Sequence, residues 1–203
     1  RVDSPTQMAD LLRGLLGDRR MPGRSVAILT DGGGHGAIAG DALAAVGVDA
    51  PVLAWLVAPS SDFGTALAAR IEIAVSCVET LRAVASAATD GRPASVHLQV
   101  DVGMARDGAP PGAWASLFAE AAQLERTGRL RVAGLMGHLA NAEDPAHPGN
   151  AQGTAGFTAA RELAGSHGLR PQLLHLAATA ATLHLPRTHF TMSRVGAGLV
   201  GID

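Results

Sequence analysis

Residues 29–37 read Leu29-Thr30-Asp31-Gly32-Gly33-Gly34-His35-Gly36-Ala37, a glycine-rich turn that joins an apolar segment to a helical one. A strand that runs into glycines and then a helix is how α/β proteins present backbone N–H groups to a phosphate. The turn lacks the lysine and the following serine or threonine of the P-loop, so a P-loop nucleotide site is excluded. Gly32, Gly34 and Ala37 fit a relaxed dinucleotide-binding pattern, but the next predicted strand ends in Val57-Ala58, without a carboxylate for a ribose. Nucleotide or coenzyme A binding at the turn therefore stays open.

Outward from the turn, strand and helix patterns alternate along the chain with short connections. The predicted strands are 26–29, 52–57, 71–75, 95–102, 130–136, 172–176 and 189–195. The predicted helices are 4–16, 38–47, 63–69, 77–87, 112–126, 151–164 and 178–184. The strand 26–29 is apolar without alternation, as expected of a parallel strand covered on both faces. This rhythm predicts one parallel α/β domain over residues 1–203, either a doubly wound sheet or a barrel.

The composition narrows the possible functions. The formal net charge is −2 and the arginines are scattered, so neither nucleic acid nor an anionic membrane is an expected partner. No apolar run is long enough to span a bilayer, and the expected location is cytoplasmic. All 16 basic residues are arginines. Chemistry that needs a lysine amine from this chain is therefore impossible.

Polar side chains follow several of the predicted strands, where parallel α/β proteins place their ligand sites. These side chains are Asp101, Arg106, Asp107, His138, Asn141, Glu143, Asp144 and His175. Beyond the last predicted strand, Arg194 and the backbone N–H groups of Gly196 and Ala197 can hold a phosphate or a carboxylate. On spacing alone, a plain tight turn explains the same residues equally well.

A metal cluster could be sought among four nearby residues, His138, Glu143, Asp144 and His147. Their spacing matches no common set of metal ligands, and the prolines and glycine between them are typical of a surface loop. We therefore predict no metal site.

Six segments carry a resemblance to a known family. In chain order they are 48–56 (VDAPVLAWL), 96–101 (VHLQVD), 137–145 (GHLANAEDP), 175–183 (HLAATAATL), 186–190 (PRTHF) and 194–199 (RVGAGL). Through them, residues 46–203 resemble the barrel domain of alanine racemase, a pyridoxal-phosphate enzyme that interconverts L- and D-alanine. The resemblance implies a parallel β/α barrel of the TIM-barrel type.

The resemblance also implies a cofactor site, with a role for each matching residue. Arg194 matches the arginine that faces the pyridine nitrogen of pyridoxal phosphate, His175 the histidine that supports this arginine, and His138 a histidine beside the ring. These three residues are therefore expected to hold the ring.

The same resemblance assigns the phosphate and the substrate. Thr179 stands where the family has a phosphate-binding serine, and Gly196 and Ala197 match backbone N–H groups at the phosphate. Arg106 matches the arginine near the substrate carboxylate and the phenolic oxygen of the cofactor.

Several family residues are missing. Aligning the glycine turn on the family's first strand puts Leu29 at its Schiff-base lysine and Gly33 at its tyrosine, and Gln99 replaces a commonly carbamylated lysine. Ala178 and Val200 replace an asparagine and a tyrosine. The family's C-terminal domain, which supplies a second catalytic tyrosine to a partner subunit, is expected to have no counterpart in this chain. We therefore expect no catalytic residues, and any pyridoxal phosphate or free phosphate is expected to be held without a covalent bond.

The first 45 residues resemble a different family. The start of the chain, the helix after it and residues 23–34 are similar to a flavodoxin-like ligase subdomain of NDP-forming acyl-CoA synthetases. We therefore expect a composite chain, or chimera, in which this segment replaces the first two strand-helix units of the barrel. An incomplete barrel of about seven strands follows, completed either by closure or by exchange of strands between two chains, which makes a homodimer the expected partner arrangement.

Three functions follow from these residues. The first is a folded protein without catalytic activity that keeps a weak phosphate site at Thr179, Arg194, Gly196 and Ala197. The alternative is a pyridoxal-phosphate-binding isomerase similar to alanine racemase. The third is nucleotide or coenzyme A binding at the glycine turn, which would make NAD raise the melting temperature, a result that we do not expect.

Overall fold

The computed structural model describes residues 28–30, as backbone only, together with residues 51–58 and 60–196. They form a six-stranded parallel sheet in which the strands lie in chain order. The strands are β1 Ile28–Thr30, β2 Val52–Ala54, β3 Ile71–Val75, β4 Ala94–Gln99, β5 Leu130–Met136 and β6 Leu173–His175. The helices are α1 Phe63–Ala68, α2 Val78–Ala87, α3 Trp114–Arg126, α4 Pro148–Ser166 and α5 Thr179–His184, with 3-10 turns at Pro111–Ala113 and Pro186–Thr188.

One face of the sheet packs against the helices. On α3, the buried residues Trp114, Leu117, Phe118 and Ala121 recur at helical spacing, and they join a single core with side chains of the sheet such as Val96. Cover by helices on one face is the arrangement of a barrel, whereas a doubly wound sheet has helices on both faces. The described residues therefore favour the barrel of the two predicted architectures.

The other face of the sheet is partly polar. Leu53, Ala74 and Met136 form a small separate apolar cluster there. Glu72, His97, Gln99 and His175 are also buried, and they occupy alternate positions with the core-facing residues of their strands. Because successive side chains of a strand point to opposite faces, these polar residues share the inner face.

A bulge in β5 adjusts this inner face. Val96 pairs with Val132, but the next residue His97 pairs with Gly134, so Ala133 is an extra residue in the ladder. A Cβ atom built on Gly134 would lie 2.2 Å from Nδ1 of His97. Only glycine leaves room there for the imidazole ring.

The prediction of a seventh strand at residues 189–195 is wrong. These residues follow a 3-10 turn and contain no strand, and Phe190 has a positive φ of 46°. The side chain of Thr191 accepts a hydrogen bond from the backbone N–H of Leu174 at 2.7 Å, so a side chain takes the place that a neighbouring strand's carbonyl would have. Exchange of strands between two chains stays a prediction. Residues 31–37 of the glycine-rich turn, and with them the predicted nucleotide or coenzyme A site, lie outside the described residues.

No helix in the described part of the chain is both long and apolar enough to cross a membrane.

The close approach at Gly134 generates a prediction for stability. The substitution Gly134→Ala forces a methyl group into the ring of His97, and overpacking of this kind costs about 1–3 kcal/mol of the free energy of unfolding. Urea denaturation measures the change. In the matched control Gly112→Ala, the added methyl group meets nothing within 4 Å, so a change of at most about 0.5 kcal/mol is expected. Equal stability of the two variants would contradict the packing described here.

Candidate functional site

Arg194 lies at the centre of the site, buried beyond the carboxyl ends of β5 and β6. Its Nη1 donates to the carbonyl of His175 at 2.9 Å and to Nδ1 of the same histidine at 3.1 Å. Its Nη2 donates to the carbonyl of Gly137 at 2.8 Å and to Nδ1 of His138 at 3.2 Å. The backbone N–H of Arg194 in turn donates to the carbonyl of Ala177. The guanidinium thus ties the C-terminal segment to the ends of two strands.

The guanidinium of Arg194 keeps its charge although it is buried. Burial, and to a lesser extent the positive charge of Arg106, lower its pKa to about 10. It is therefore protonated at neutral pH. Its buried Nε atom has no hydrogen-bond partner among the described residues. A buried donor without a partner is costly, so this N–H group is suited to an acceptor on a bound molecule.

A line of polar groups extends from Arg194 along the inner face of the sheet. Nε2 of His175 lies 2.7 Å from Nδ1 of His97, and Nε2 of His97 lies 2.8 Å from a carboxylate oxygen of Glu72. Burial is the main cause that holds the pKa of His175 well below its ordinary value, and the charge of Arg194 adds to it. His175 is therefore neutral at physiological pH.

His138 forms a second side of the site. Its ring stacks on Trp55 with 6.1 Å between the ring centroids, and Cζ of Arg106 lies 5.0 Å from the centroid of the Trp55 ring. Arg106 Nη2 is also 3.5 Å from Nδ1 of His138. Burial, followed by the charges of Arg194 and Arg106, lowers the pKa of His138 to about 4. A neutral ring therefore lies between two positive charges.

The predicted phosphate residues lie close together. The backbone N–H of Gly196 donates to the hydroxyl of Thr179 at 3.2 Å, which brings the start of α5 beside the segment after Arg194. Thr179 is buried, whereas Gly196 is exposed. Ala197, the third predicted member, lies outside the described residues.

The structure thus brings His138, His175 and Arg106 together around Arg194, and the cofactor roles that the resemblance gives these residues stay predictions. It also adds Glu72, His97 and Trp55, which sequence reasoning missed as site residues. A charged side chain inside Ile71–Val75 and a histidine inside Ala94–Gln99 are the signals that could have found two of them, because buried parallel strands are otherwise apolar.

Three of the other polar candidates, Asp101, Asp144 and His147, form hydrogen bonds within the loops that contain them. One carboxylate oxygen of Asp101 accepts hydrogen bonds from the backbone N–H groups of Gly103, Met104 and Ala105. His147 and Asp144 accept from neighbouring backbone N–H groups. Within the described residues, no group of three or more His, Cys, Asp or Glu side chains is placed to hold a metal ion.

The surroundings of His138 generate a prediction for pH dependence. In an NMR titration, the ring of His138 is expected to take up its proton near pH 4, because its pKa is lowered to about 4. The unfolded chain binds this proton near pH 6.5, so the histidine reduces the free energy of unfolding as the pH falls from 6.5 towards 4. The variant Arg106→Gln is expected to raise the midpoint, since one of the two positive charges is gone. A titration midpoint of His138 near pH 6.5 in the wild type would contradict the burial and the nearby charges described here.

Comparison with known proteins relates this site to one family. The family model for the alanine racemase N-terminal domain matches residues 25–203. The alanine racemase of Frankia casuarinae is 41% identical over 164 residues, which are 80% of this chain and 42% of that protein. The alanine racemase of Salinispora arenicola is 37% identical over 77% of this chain and 42% of its own length. The chain thus spans about two fifths of the length of these curated relatives.

Solved structures give the same relationship. Alanine racemase from Streptomyces lavendulae superimposes on the whole chain with a TM-score of 0.79 and 28% identity, over 58% of that protein. Alanine racemase from Streptomyces coelicolor A3(2) has a TM-score of 0.80 and 31% identity, over 98% of this chain and 58% of that protein. The sheet described above therefore matches part of the barrel-like domain of these enzymes.

These findings correct two expectations. The family match begins at residue 25, within the segment 1–45 that we compared with acyl-CoA synthetases, and a chimera finds no support. The expectation of a protein without catalytic activity is wrong as well, because the similar proteins are named as racemases and the alternative of a pyridoxal-phosphate isomerase fits better. That expectation gave the missing lysine more weight than the buried arginine and histidines, which the chain retains. By the match of its sequence, the chain belongs to the alanine racemase N-terminal domain family.

Proposed function

We propose that this chain binds pyridoxal phosphate at the carboxyl ends of its strands and works as the cofactor-binding part of an amino-acid racemase of the alanine racemase type. The observation that carries the proposal is the buried Nε of Arg194, which lacks a partner among the described residues while the rest of the guanidinium is fully engaged. A pyridine nitrogen is an acceptor that this N–H group can use.

The charge of Arg194 sets the kind of chemistry that the site supports. An arginine with a pKa of about 10 remains a donor at neutral pH, so the ring nitrogen facing it would stay unprotonated. When bound, pyridoxal phosphate supplies an electron-withdrawing conjugated ring that makes the α-proton of an amino acid removable. The chain holds and orients this ring.

The other residues would complete the cofactor site. His138, kept neutral and stacked on Trp55, would lie beside the ring. The hydroxyl of Thr179 and the backbone N–H groups of Gly196 and Ala197 would hold the phosphate. Arg106, exposed at the edge of the site, would attract the carboxylate of the amino acid.

The absence of lysine limits how the cofactor is attached. No side chain in this sequence carries a primary amine, so none can bond to the cofactor's aldehyde. We therefore propose that hydrogen bonds and ring contacts retain the cofactor. On β1, Leu29 pairs with Leu53 of β2, and Leu29 is the position that matches the family's lysine.

A homodimer belongs to the same proposal. The site opens at the carboxyl ends of the strands, and its exposed arginine, Arg106, is accessible to groups from a second subunit. The dimer itself is expected from the incomplete barrel, whose open edges would pair between two chains, and not from the partner-supplied tyrosine of the family, which belongs to its C-terminal domain.

Binding of the cofactor is the first test. Absorbance titration of the chain, with its N-terminal amine acetylated, is expected to show saturable binding of pyridoxal phosphate. Arg194→Gln should weaken this binding at least about tenfold, the effect of losing one charged hydrogen bond. The exposed Arg187 provides the control, and Arg187→Gln should bind as the wild type does. Arg106→Gln, also at an exposed site, tests the cofactor site without disturbing a buried charge. Absence of saturable binding would reject the proposal.

Proton exchange at alanine is the second test. With pyridoxal phosphate present in D₂O, the chain is expected to replace the α-hydrogen of L-alanine by deuterium faster than the free cofactor does. Leu29→Lys returns an amine to β1 and should raise this rate by about 10² or more, the usual contribution of a positioned base. Rates equal to the free cofactor for both proteins would overturn the proposed reaction, whatever the cofactor's affinity.

A further inference from the structure

A diagonal line of hydrogen-bonded side chains crosses the inner face of the sheet. Its members beyond Arg194 have no assigned contact with the cofactor. Glu72 lies near the amino end of β3, His97 in the middle of β4, and His175 at the carboxyl end of β6. The contacts are 2.8 Å from Glu72 to His97, 2.7 Å from His97 to His175 and 3.1 Å from His175 to Arg194. The line therefore joins Arg194 to a carboxylate at the opposite end of the sheet.

The chemistry of its two ends fixes the proton positions along the line. Arg194 has only donors, so Nδ1 of His175 accepts and the proton of His175 is on Nε2. This N–H group donates to Nδ1 of His97, which leaves the proton of His97 on Nε2. That proton points at Glu72, whose pKa stays low although burial alone would raise it, because His97 and Ser95 donate to its carboxylate. The hydrogen-bond pattern therefore places a proton on Nε2 and none on Nδ1 of both imidazoles.

Glu72 is itself held in place from two sides. Ser95 donates to its Oε1 at 2.7 Å, and Arg131 lies 3.4 Å from the same oxygen. These partners are at the amino ends of β4 and β5. The absent side chain of Gly134, described above, gives the ring of His97 the space to bridge the two ends. Glu72 and His97 thus have their positions fixed by neighbours outside the line.

Stability gives no reason for such a line. A charged pair or triad on a buried surface is often matched or exceeded in stability by apolar residues of similar volume. What the line does supply is orientation, because a hydrogen-bonded ring cannot rotate without losing partners on both sides. The carbonyl of His175 and its Nδ1 both hold Nη1 of Arg194, so the angle of this ring controls the guanidinium.

We propose that Glu72 is a positioning residue for Arg194, acting as the terminal hydrogen-bond acceptor that keeps His97 and His175 oriented. It touches neither substrate nor cofactor. By holding the two rings, it fixes the guanidinium so that its unpartnered Nε–H points to one place. The effect on cofactor affinity rests on the proposed function, whereas the orientation of the two rings does not.

The test on the cofactor-free protein is ¹⁵N NMR of the histidine rings at neutral pH. In the wild type, His97 and His175 are expected to show protonated Nε2 and unprotonated Nδ1, with both N–H protons exchanging slowly with water. A protonated Nδ1 on either ring would overturn the proposal before any variant is made.

Variants at Glu72 then separate hydrogen bonding from packing. Glu72→Leu removes the acceptor and should speed exchange of both N–H protons at least about tenfold, the equivalent of one lost buried hydrogen bond. Glu72→Gln keeps an acceptor oxygen and should restore the wild-type signals. Glu120→Leu is the control, since it removes another carboxylate at 2.8 Å from an arginine, Arg82, outside this line. Wild-type exchange in Glu72→Leu, or loss of the signals in Glu72→Gln, contradicts the assigned role.

Cofactor affinity is the last measurement. Pyridoxal phosphate is expected to bind about tenfold more weakly to Glu72→Leu than to the wild type or to Glu120→Leu, because a mobile guanidinium is a poorer donor. Unchanged affinity together with altered ring signals would reject control of the cofactor site by Glu72. If the wild type binds no pyridoxal phosphate, the proposed function fails, and the NMR signals still decide the orientation of the rings.

Discussion

A charged guanidinium buried at the ends of the strands is the constraint on which the rest of this structure depends. Removing such a group from water costs several kcal/mol, and the cost is acceptable only because carbonyls and imidazoles surround it. Arg194 obtains these partners from Gly137, His138 and His175. The chain after α5 therefore returns to β5 and β6 through bonds of the Arg194 side chain and a few backbone hydrogen bonds, without adding a strand.

The choice of arginine at this position has a physical reason. A lysine in the same surroundings would lose its proton readily, whereas arginine keeps its charge when buried. The neighbouring histidines lose their charge instead, because the lowered pKa values of His138 and His175 leave both rings neutral, and these rings accept hydrogen bonds from the arginine. Arg194 therefore stays charged and the two histidine rings stay neutral across the physiological pH range.

Much of the fold follows from the sequence, since the apolar runs of β3 and β5 and the periodicity of α3 predict their elements closely. The segment 189–195 has an equally suitable pattern and forms no strand, because Phe190 adopts a positive φ and Thr191 satisfies a backbone group of β6 with its side chain. When a side-chain oxygen accepts the hydrogen bond that a neighbouring strand would accept, the sequence shows no periodic pattern that could predict it.

The site was predictable to the extent that its residues follow strands. His138, His175 and Arg194 were found by position and by family resemblance. Glu72 and His97 lie within strands, and their partnership spans 25 positions in the chain, so only three-dimensional pairing reveals it. The expectation of an inactive protein was wrong because it gave most weight to the missing lysine, although the chain retains Arg194 and the histidines that bond to it.

The extra residue in β5 has a consequence for how this sequence tolerates length changes. Before the bulge, Leu130 and Val132 face the helices, and after it Leu135 does so while Met136 turns inward. Because Val132 faces the helices and Gly134 faces His97, the strand without Ala133 would alternate regularly and keep Leu135 and Met136 on their present faces. Loss of Ala133 would remove the bulge and its local bend, so at this one point the strand could change its length without exchanging the inside and the outside of the domain.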